Sequence, residues 1–424
     1  MAQLLQESGY QPAENPIEAN FLIVNTCGFI CPAIKESLHE LNELAAHKTK
    51  GQVLIAAGCL TQRIGGDIAK QEPGIDGILG TRRWMDIVEV VERLRSGRYP
   101  KPIYHLPPSP TIGKDERGVH RVAIQGGSAY LKIADGCRRP CAFCTIPSIK
   151  GTIVSRPIKA ILEEARYLQK LEVRELILIA QDTTDYGHDL GLQDGLVQLL
   201  EQLTTTVPEI SWIRIMYTYP GFVTDRLIET MATYQQIVPY LDMPLQHAHP
   251  STLRRMRRPT NMEWVSRTVE KMRASMPDLA LRTTFIVGYP GETEEEFQVL
   301  LNFMDEIRFD RVGAFQFSFE TGTASEALGD SVPAKLKQER YERLMEHQQT
   351  ISLEKNLSMV GKTLDVLVEG YGDGLSVGRS YRDAPEIDGL VIVQDSLPIG
   401  EICTVRVTGA MTYDLNGVLE TKQE

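Results

Sequence analysis

The sequence predicts an α/β protein of two or three domains, and three features of its 424 residues lead there. Between Tyr130 and Phe319 a strand-like run followed by an amphipathic helical run recurs six times, with a period of about 30 residues. Before Gly126, two β-rich runs, Phe21–Asn25 and Val53–Ala57, lead straight into Cys27 and Cys59. After about Asn356 the pattern changes to short β runs broken by Gly, Asp and Pro.

Taken in order, Met1–Tyr10 reads as a helix, and the stretch Pro102 to Pro110 reads as the exit from the N-terminal segment. The repeated region places strands at Tyr130–Ala134, Leu176–Ala180, Trp212–Tyr217, Pro239–Met243, Leu281–Val287 and Val312–Phe319. Helices are expected at Ile158–Gln169, Leu192–Leu203, Asp225–Tyr234, Glu263–Ala274 and Thr293–Ile307, the last opened by a capping box of Thr293 with Glu296. Parallel strands joined by helices curl into a barrel or spread as a doubly wound sheet, and chemistry gathers at their carboxyl ends. Immediately after successive strands come the Cys137 loop, Gln181-Asp182, Tyr219-Pro220, Gln246-His247 and Gly288–Glu292. One shared mouth is expected for them; the competing reading is that βα loops are polar everywhere. The C-terminal runs Leu364–Glu369, Leu390–Gln394 and Cys403–Thr408 read as a small antiparallel barrel, with Cys403 an inert core residue.

Cys137, Cys141 and Cys144 stand three residues and then two residues apart, in the run Asp135–Thr145. Thiolates hold iron–sulfur clusters, and three of them in one loop leave the fourth iron of a cubane without a protein ligand, free to take substrate. A zinc knuckle is the alternative, but structural zinc takes four ligands and the sequence offers no fourth Cys or His nearby. Seven cysteines, an odd count grouped in short motifs, point to a reducing compartment, and the cytoplasm is expected. No apolar stretch is long enough to span a bilayer. A net charge of −11 argues against a generic nucleic-acid binder and suits a basic protein partner.

The Cys137 triad with Phe143 before its last member, the run Val287–Glu292 with the capping box behind it, Asp242–His247, Asn25–Phe29 and Gly58–Leu60 carry a resemblance. Over nearly its whole length the chain resembles the radical S-adenosylmethionine (SAM) methylthiotransferases. That resemblance implies a partial (β/α)6 radical SAM barrel over 125–355, an N-terminal Rossmann-like α/β methylthiotransferase domain over 1–112, and a small TRAM-like β-barrel over 357–424. The run Gly378–Gly389 is similar to the branch that methylthiolates the β-carbon of an aspartate in small-subunit ribosomal protein S-twelve, rather than the branch acting on tRNA adenosine.

The resemblance also implies cofactors. A [4Fe-4S] cluster on Cys137, Cys141 and Cys144 would chelate SAM at its open iron, and electrons from a reductant such as flavodoxin or ferredoxin would cleave SAM to a 5′-deoxyadenosyl radical. Gln181, Asp182, Gln246 and His247 would contact SAM or position substrate, although His247 reads equally as a structural imidazole. A second [4Fe-4S] cluster needs three N-terminal cysteines, of which Cys27 and Cys59 match two. The family's first cysteine lies in an early Gly-Cys segment that this sequence lacks, so the expectation is a domain without its first strand and thiol, read as a late start. Cys31 is a candidate substitute, or simply a helix start before Pro32. The run Arg254–Arg258 reads as a contact to SAM's carboxylate or to an acidic substrate residue, or as a solvated helix start.

From Leu357 onward five Lys/Arg face eleven Asp/Glu. Phosphate binding needs the opposite sign, so RNA binding is unlikely on this module and a basic ribosomal protein is the expected partner. The rivals are a tRNA methylthiotransferase and, from another class, a non-enzymatic iron–sulfur carrier, which would need no SAM pocket.

Overall fold

The computed structural model describes residues 1–107 and 124–420. The expected boundary near residue 112 and the last residues of the exit stretch, 108–110, lie outside them, as do the last four residues of the chain. Two compact units are present: one gathers the described N-terminal residues with 135–154 and 318–327, the other gathers the rest. Among the described residues no helix is long and apolar enough to cross a membrane.

The first unit is built on a four-stranded parallel sheet, β1 (Phe21–Thr26), β2 (Val53–Gly58), β3 (Gly77–Gly80) and β4 (Ile103–His105), in that spatial order. Every residue of β2 is buried, as a central parallel strand covered on both faces must be. Its alternation splits the core: Val53, Ile55 and Ala57 pack with Leu79, Val90 and Leu94, while Leu54 and Ala56 pack with Leu22, Leu41 and Ile78. The helix Ala2–Glu7 precedes β1, within the stretch expected to be helical.

The second unit opens with β5 (Ile124–Gln125) and β6 (Ser128–Lys132); β7 (Ala134–Asp135) and β8 (Val154–Ser155) flank the cysteine loop in sequence. Then follow β9 (Glu175–Ile179), β10 (Trp212–Ile215), β11 (Tyr240–Asp242), β12 (Ala280–Val287) and β13 (Arg311–Gln316), each reached through a helical segment. β6, β9 and β10 pair in parallel, as do β11, β12 and β13, and an isolated parallel bridge, Ile213 to Ile237, joins the two sets. The six strands thus run in sequence order around an open half-barrel. Alternate residues explain its lining: Ala129, Leu131, Leu176, Leu178 and Phe285 are buried on the helix-covered side, while Tyr130, Lys132, Ile179, Thr284 and Ile286 are half-buried on the inner side. The inner face is thus partly accessible at these positions.

The chain then forms the helix Ala334–Leu357 and five strands, β14 (Thr363–Gly372), β15 (Leu375–Ser380), β16 (Val391–Val393), β17 (Ile402–Ala410) and β18 (Leu415–Leu419), closed into a barrel. The barrel is not wholly antiparallel as expected: β16 and β18 pair in parallel, because a crossing connection separates them. Cys403 is partly buried against this core, and burial raises its thiol pKa.

The run Gly378–Gly389 closes the amino-terminal end of the half-barrel. Each of the six strands gives it a residue from its first three positions. Arg379 donates to Ser128 Oγ at 2.9 Å and to Glu175 at 2.7 Å; Arg214 donates to Tyr381 O at 2.7 Å; Arg311 donates to Asp383 at 2.6 Å. Tyr240 OH donates to Asp388 at 2.7 Å, and Arg282 Nε donates to the same carboxylate at 3.2 Å. Burial alone would raise the Glu175 carboxyl, but Arg214 and Arg379 overturn it and hold the group at about 2. Charges this deep need such complete pairing, and the pairing fixes one geometry for the floor. Two of the five C-terminal bases, Arg379 and Arg382, are therefore buried. The exposed acids Asp365, Asp373, Glu386, Asp395, Glu401 and Glu420 outnumber the exposed bases Lys362 and Arg406, so the barrel's described surface is acidic.

Candidate functional site

The cysteine loop in the first unit is tied shut at its base. Cys137 N–H donates to Gly151 O at 3.1 Å, and Lys150 pairs with Asp135 at 3.0 Å. Gly136 sits at φ +76°, and a Cβ there would stand 2.1 Å from Thr152 O, so only glycine fits. Inside the loop, Arg139 N–H approaches Cys137 Sγ at 3.4 Å and Cys144 N–H donates to Cys141 O at 3.2 Å. The three cysteines are half-buried and in no disulfide. Three unbridged soft donors with an N–H aimed at one sulfur suit an iron–sulfur cluster, whose properties follow hydrogen bonds to its sulfurs. Gly136→Ala is expected to leave the sheet domains folded by circular dichroism while bound iron after reconstitution falls by at least half; unchanged iron would contradict this role for the turn.

Cys27 and Cys59 follow two adjacent parallel strands that end in register, Thr26 opposite Gly58. The two turns press backbone on backbone: a Cβ on Gly28 would lie 2.7 Å from Leu60 Cα, and one on Gly58 would lie 2.5 Å from Thr26 O. Cys27 is exposed and Cys59 half-buried. Cys31, also exposed, opens the helix Cys31–His47 with Pro32 behind it, and its N–H donates to Glu320 Oε1 at 2.6 Å.

Sequence reasoning missed Glu320. It accepts from Cys31 and from Arg63 (2.8 Å), and Arg63 also donates to Gly28 O at 2.9 Å, so one ion pair fixes the Cys27 turn against the Cys59 helix. The triad loop joins the same unit through Thr145 Oγ1, which donates to Phe29 O at 3.2 Å, and through Arg82, which donates to Ile149 O at 2.9 Å and Ser148 O at 3.0 Å. Cys27, Cys31, Cys59, Cys137, Cys141 and Cys144 thus belong to a single compact unit. These contacts join residues up to 289 positions apart, beyond the reach of any local pattern.

In the second unit, Gln181, Asp182, Gln246 and His247 all follow half-barrel strands. Gln181 Oε1 is buried with no hydrogen-bond partner among the described residues, an acceptor left for a ligand's donor. Asp182 is buried and accepts from Thr184 Oγ1 at 2.5 Å. Gln246, half-buried at φ +77°, is locked between Thr284 O and Ile286 N–H, each at 2.8 Å. His247 is fully buried: Nδ1 accepts from His249 N–H at 2.9 Å, and Nε2 lies 3.5 Å from Glu292, which Arg340 holds at 2.8 Å. Between these loops Tyr217, at φ +60°, donates its N–H to Asp242 Oδ2 at 3.1 Å and accepts Thr183 N–H at 3.1 Å. It was not singled out from sequence, because a left-handed tyrosine leaves no compositional mark.

The basic run divides. Arg255 pairs with Glu296, whose carboxyl it and Thr252 hold at about 2 against burial. Arg258 is buried over the Tyr219 ring at 4.2 Å and donates to Pro244 O. Arg254 and Arg257 are exposed.

Residues 131–304 match the Radical SAM superfamily, 360–419 the TRAM domain, and 1–80 the uncharacterized protein family UPF0004. A protein of Roseiflexus sp. (strain RS-1) named ribosomal protein uS12 methylthiotransferase RimO is 47% identical over 98% of this chain and 93% of its own length. One of the same name from Chloroflexus aurantiacus is 49% identical over 98% and 95%. Among solved structures, the radical S-adenosylmethionine methyltransferase TsrM of Kitasatospora setae, with cobalamin and a [4Fe-4S] cluster bound, shares the fold at TM-score 0.58 and 13% identity, over 86% of this chain and 71% of its own.

Proposed function

We infer the reaction from one premise: this chain belongs to the RimO family of ribosomal protein uS12 methylthiotransferases, radical SAM enzymes and transferases that use SAM and a [4Fe-4S] cluster. The single observation that carries this reading is the identity to RimO proteins over nearly the full chain, across all three matched segments. It favours uS12 over tRNA as substrate and an enzyme over an iron–sulfur carrier.

The finer assignments are ours. Cys137, Cys141 and Cys144 would hold the cluster, and Cys27 with Cys59 would contribute to a second. The cluster with SAM bound would supply a reductively generated 5′-deoxyadenosyl radical able to take hydrogen from an unactivated carbon. This chain's own residues bind and orient. Gln181 would offer its orphaned oxygen to a SAM donor, Asp182 and Gln246 would border the same ligand, and buried His247 would hold the Gln246 turn in place through His249 N–H. The half-exposed inner face of the half-barrel would admit the substrate side chain and limit the water around it. The target is the β-carbon of an aspartate in uS12, the electrons come from a flavodoxin- or ferredoxin-type reductant, and the compartment is the cytoplasm. The acidic C-terminal barrel supports a basic protein rather than RNA as partner.

Gln181→Leu is expected to raise the Kd for SAM by roughly tenfold, the scale of one lost hydrogen bond, in equilibrium binding to reconstituted protein. An unchanged Kd would remove Gln181 from the site. The substrate assignment is tested by offering purified uS12 and tRNA in parallel to reconstituted enzyme with SAM and reductant. Mass spectrometry should find the methylthio group on uS12 alone; modified tRNA with unmodified uS12 would reverse the assignment.

A further inference from the structure

The floor formed by Gly378–Gly389 carries one feature that structural closure does not require. Asp388 pins the turn from Ala384 in three ways, accepting from Ala384 N–H at 2.9 Å, Tyr240 OH at 2.7 Å and Arg282 Nε at 3.2 Å. Ala384 and Pro385 are buried, and Ala384 packs with Ile177, Trp212, Met216 and Tyr240 from the inner side of the strands. Yet Glu386 and Ile387, between these anchors, are exposed, Ile387 by 47%. Glu386 also holds a left-handed backbone at φ +68°, a conformation a glutamate occupies only where the surroundings impose it.

The acid lies within electrostatic reach of two half-barrel tyrosines, of which Tyr130 packs against the same apolar cluster as Ala384. Burial first, and Glu386 next, raise the Tyr130 phenol; burial, then Asp242, with a further part from Glu386, raise that of Tyr217. Tyr130 lies on the half-exposed inner row and Tyr217 follows β10, with 41% of its surface exposed. A carboxylate and an isoleucine thus face solvent on a rigid turn. Among the described residues, Glu386 forms no ion pair or hydrogen bond of its own within the chain.

We propose that Glu386 and Ile387, held rigid by Asp388 on a turn packed against the inner side of the strands, form a docking point inside the half-barrel for a cationic side chain of the uS12 segment that carries the modified residue. The proposal rests on uS12 being the substrate. Ribosomal proteins carry cationic side chains that neutralise RNA phosphates, and such a side chain complements a fixed, exposed carboxylate. The preset turn spares the ordering cost of a flexible acid.

The test uses full-length enzyme reconstituted anaerobically, with purified uS12. E386Q is expected to raise the KM for uS12 about three- to tenfold and E386K more than about tenfold, with the KM for SAM unchanged. D373K, which reverses an exposed acid on the β14–β15 turn, is expected to leave the KM for uS12 unchanged within about twofold. Equal KM values for wild type and E386K overturn the inference, and so does a D373K effect as large as that of E386K, which would mean diffuse attraction. If the wild-type enzyme itself leaves uS12 unmodified, the family reading fails and this inference with it. If the wild type modifies uS12 and E386K does so equally well, only the docking point fails.

Discussion

Replacing any one of Cys137, Cys141 and Cys144 by alanine is expected to abolish 5′-deoxyadenosine release from SAM, with loss exceeding about a thousandfold. The reasoning is one of ligand count. Three protein thiolates leave one iron open, and a loop with two has no means of fixing both the cluster and the orientation of its open corner. The loop from Cys137 to Cys144 offers no further Cys or His, and its base is fixed: a Cβ on Gly136 would meet Thr152 O at 2.1 Å, and Cys137 N–H is bonded to Gly151 O. Chromatographic quantification of 5′-deoxyadenosine under excess chemical reductant reads the effect without involving uS12. Serine variants should behave like alanine, because an alkoxide-type ligand does not replace a soft thiolate. Full SAM cleavage by any of the three alanine variants would contradict the assignment.

The second large effect lies in the floor of the half-barrel. Glu175→Gln removes the anion shared by Arg214 and Arg379, all three fully buried, and leaves Arg214 without its acidic partner and Arg379 with Glu369 alone. Breaking a buried pair in this way costs about 3–5 kcal/mol, read as a fall of roughly 10 °C in Tm for a domain of this size. The sign with pH follows from the carboxyl being lowered from 4.5 to about 2 in the folded state. Its contribution is fully present above the unfolded value of 4.5 and is lost as pH falls toward 2. Chemical denaturation from pH 7 down to pH 3 should therefore show wild type losing its advantage over Glu175→Gln. A difference that stays constant or grows with acidification would contradict the pairing.

Much of this was legible in the sequence, and the misses have physical causes. The half-barrel strands and the capping box of Thr293 with Glu296 announce themselves because βα repeats alternate two simple periods. The helix Ala334–Leu357 gives no such signal, since its inward face is polar: Lys337, Arg340, Gln348, Ser352 and Asn356 are buried and bond to Phe317 O, Glu292, Phe309 O, Asp310 O and Met411 O. β15 and β18 escaped notice because barrel closure demands glycine where a strand pattern demands bulk. A Cβ on Gly378 would meet Leu367 O at 2.4 Å, and one on Gly417 would meet Val405 Cγ1 at 2.3 Å. The run Gly378–Gly389 stood out as distinctive, but its burial under six strands depends on pairings such as Arg379 with Glu175, 204 positions apart.

The same division holds for the site. Spacing alone marks the triad, because a loop of that length must present its thiols together. The registration of Cys27 with Cys59 depends on Thr26 pairing with Gly58, and the fixing of both turns by Arg63 and Glu320 depends on the folded chain. Gln181 was chosen for its place after a strand; the reason to keep it, a buried oxygen without a partner among the described residues, is visible only in three dimensions.

Electron paramagnetic resonance of the anaerobically reconstituted, reduced protein tests the central claim most directly. A [4Fe-4S]⁺ signal that changes shape when SAM is added, and that is missing or unresponsive to SAM in Cys141→Ala, is the predicted result. A reduced protein whose cluster signal is indifferent to SAM, or is unaltered by loss of Cys141, would contradict it.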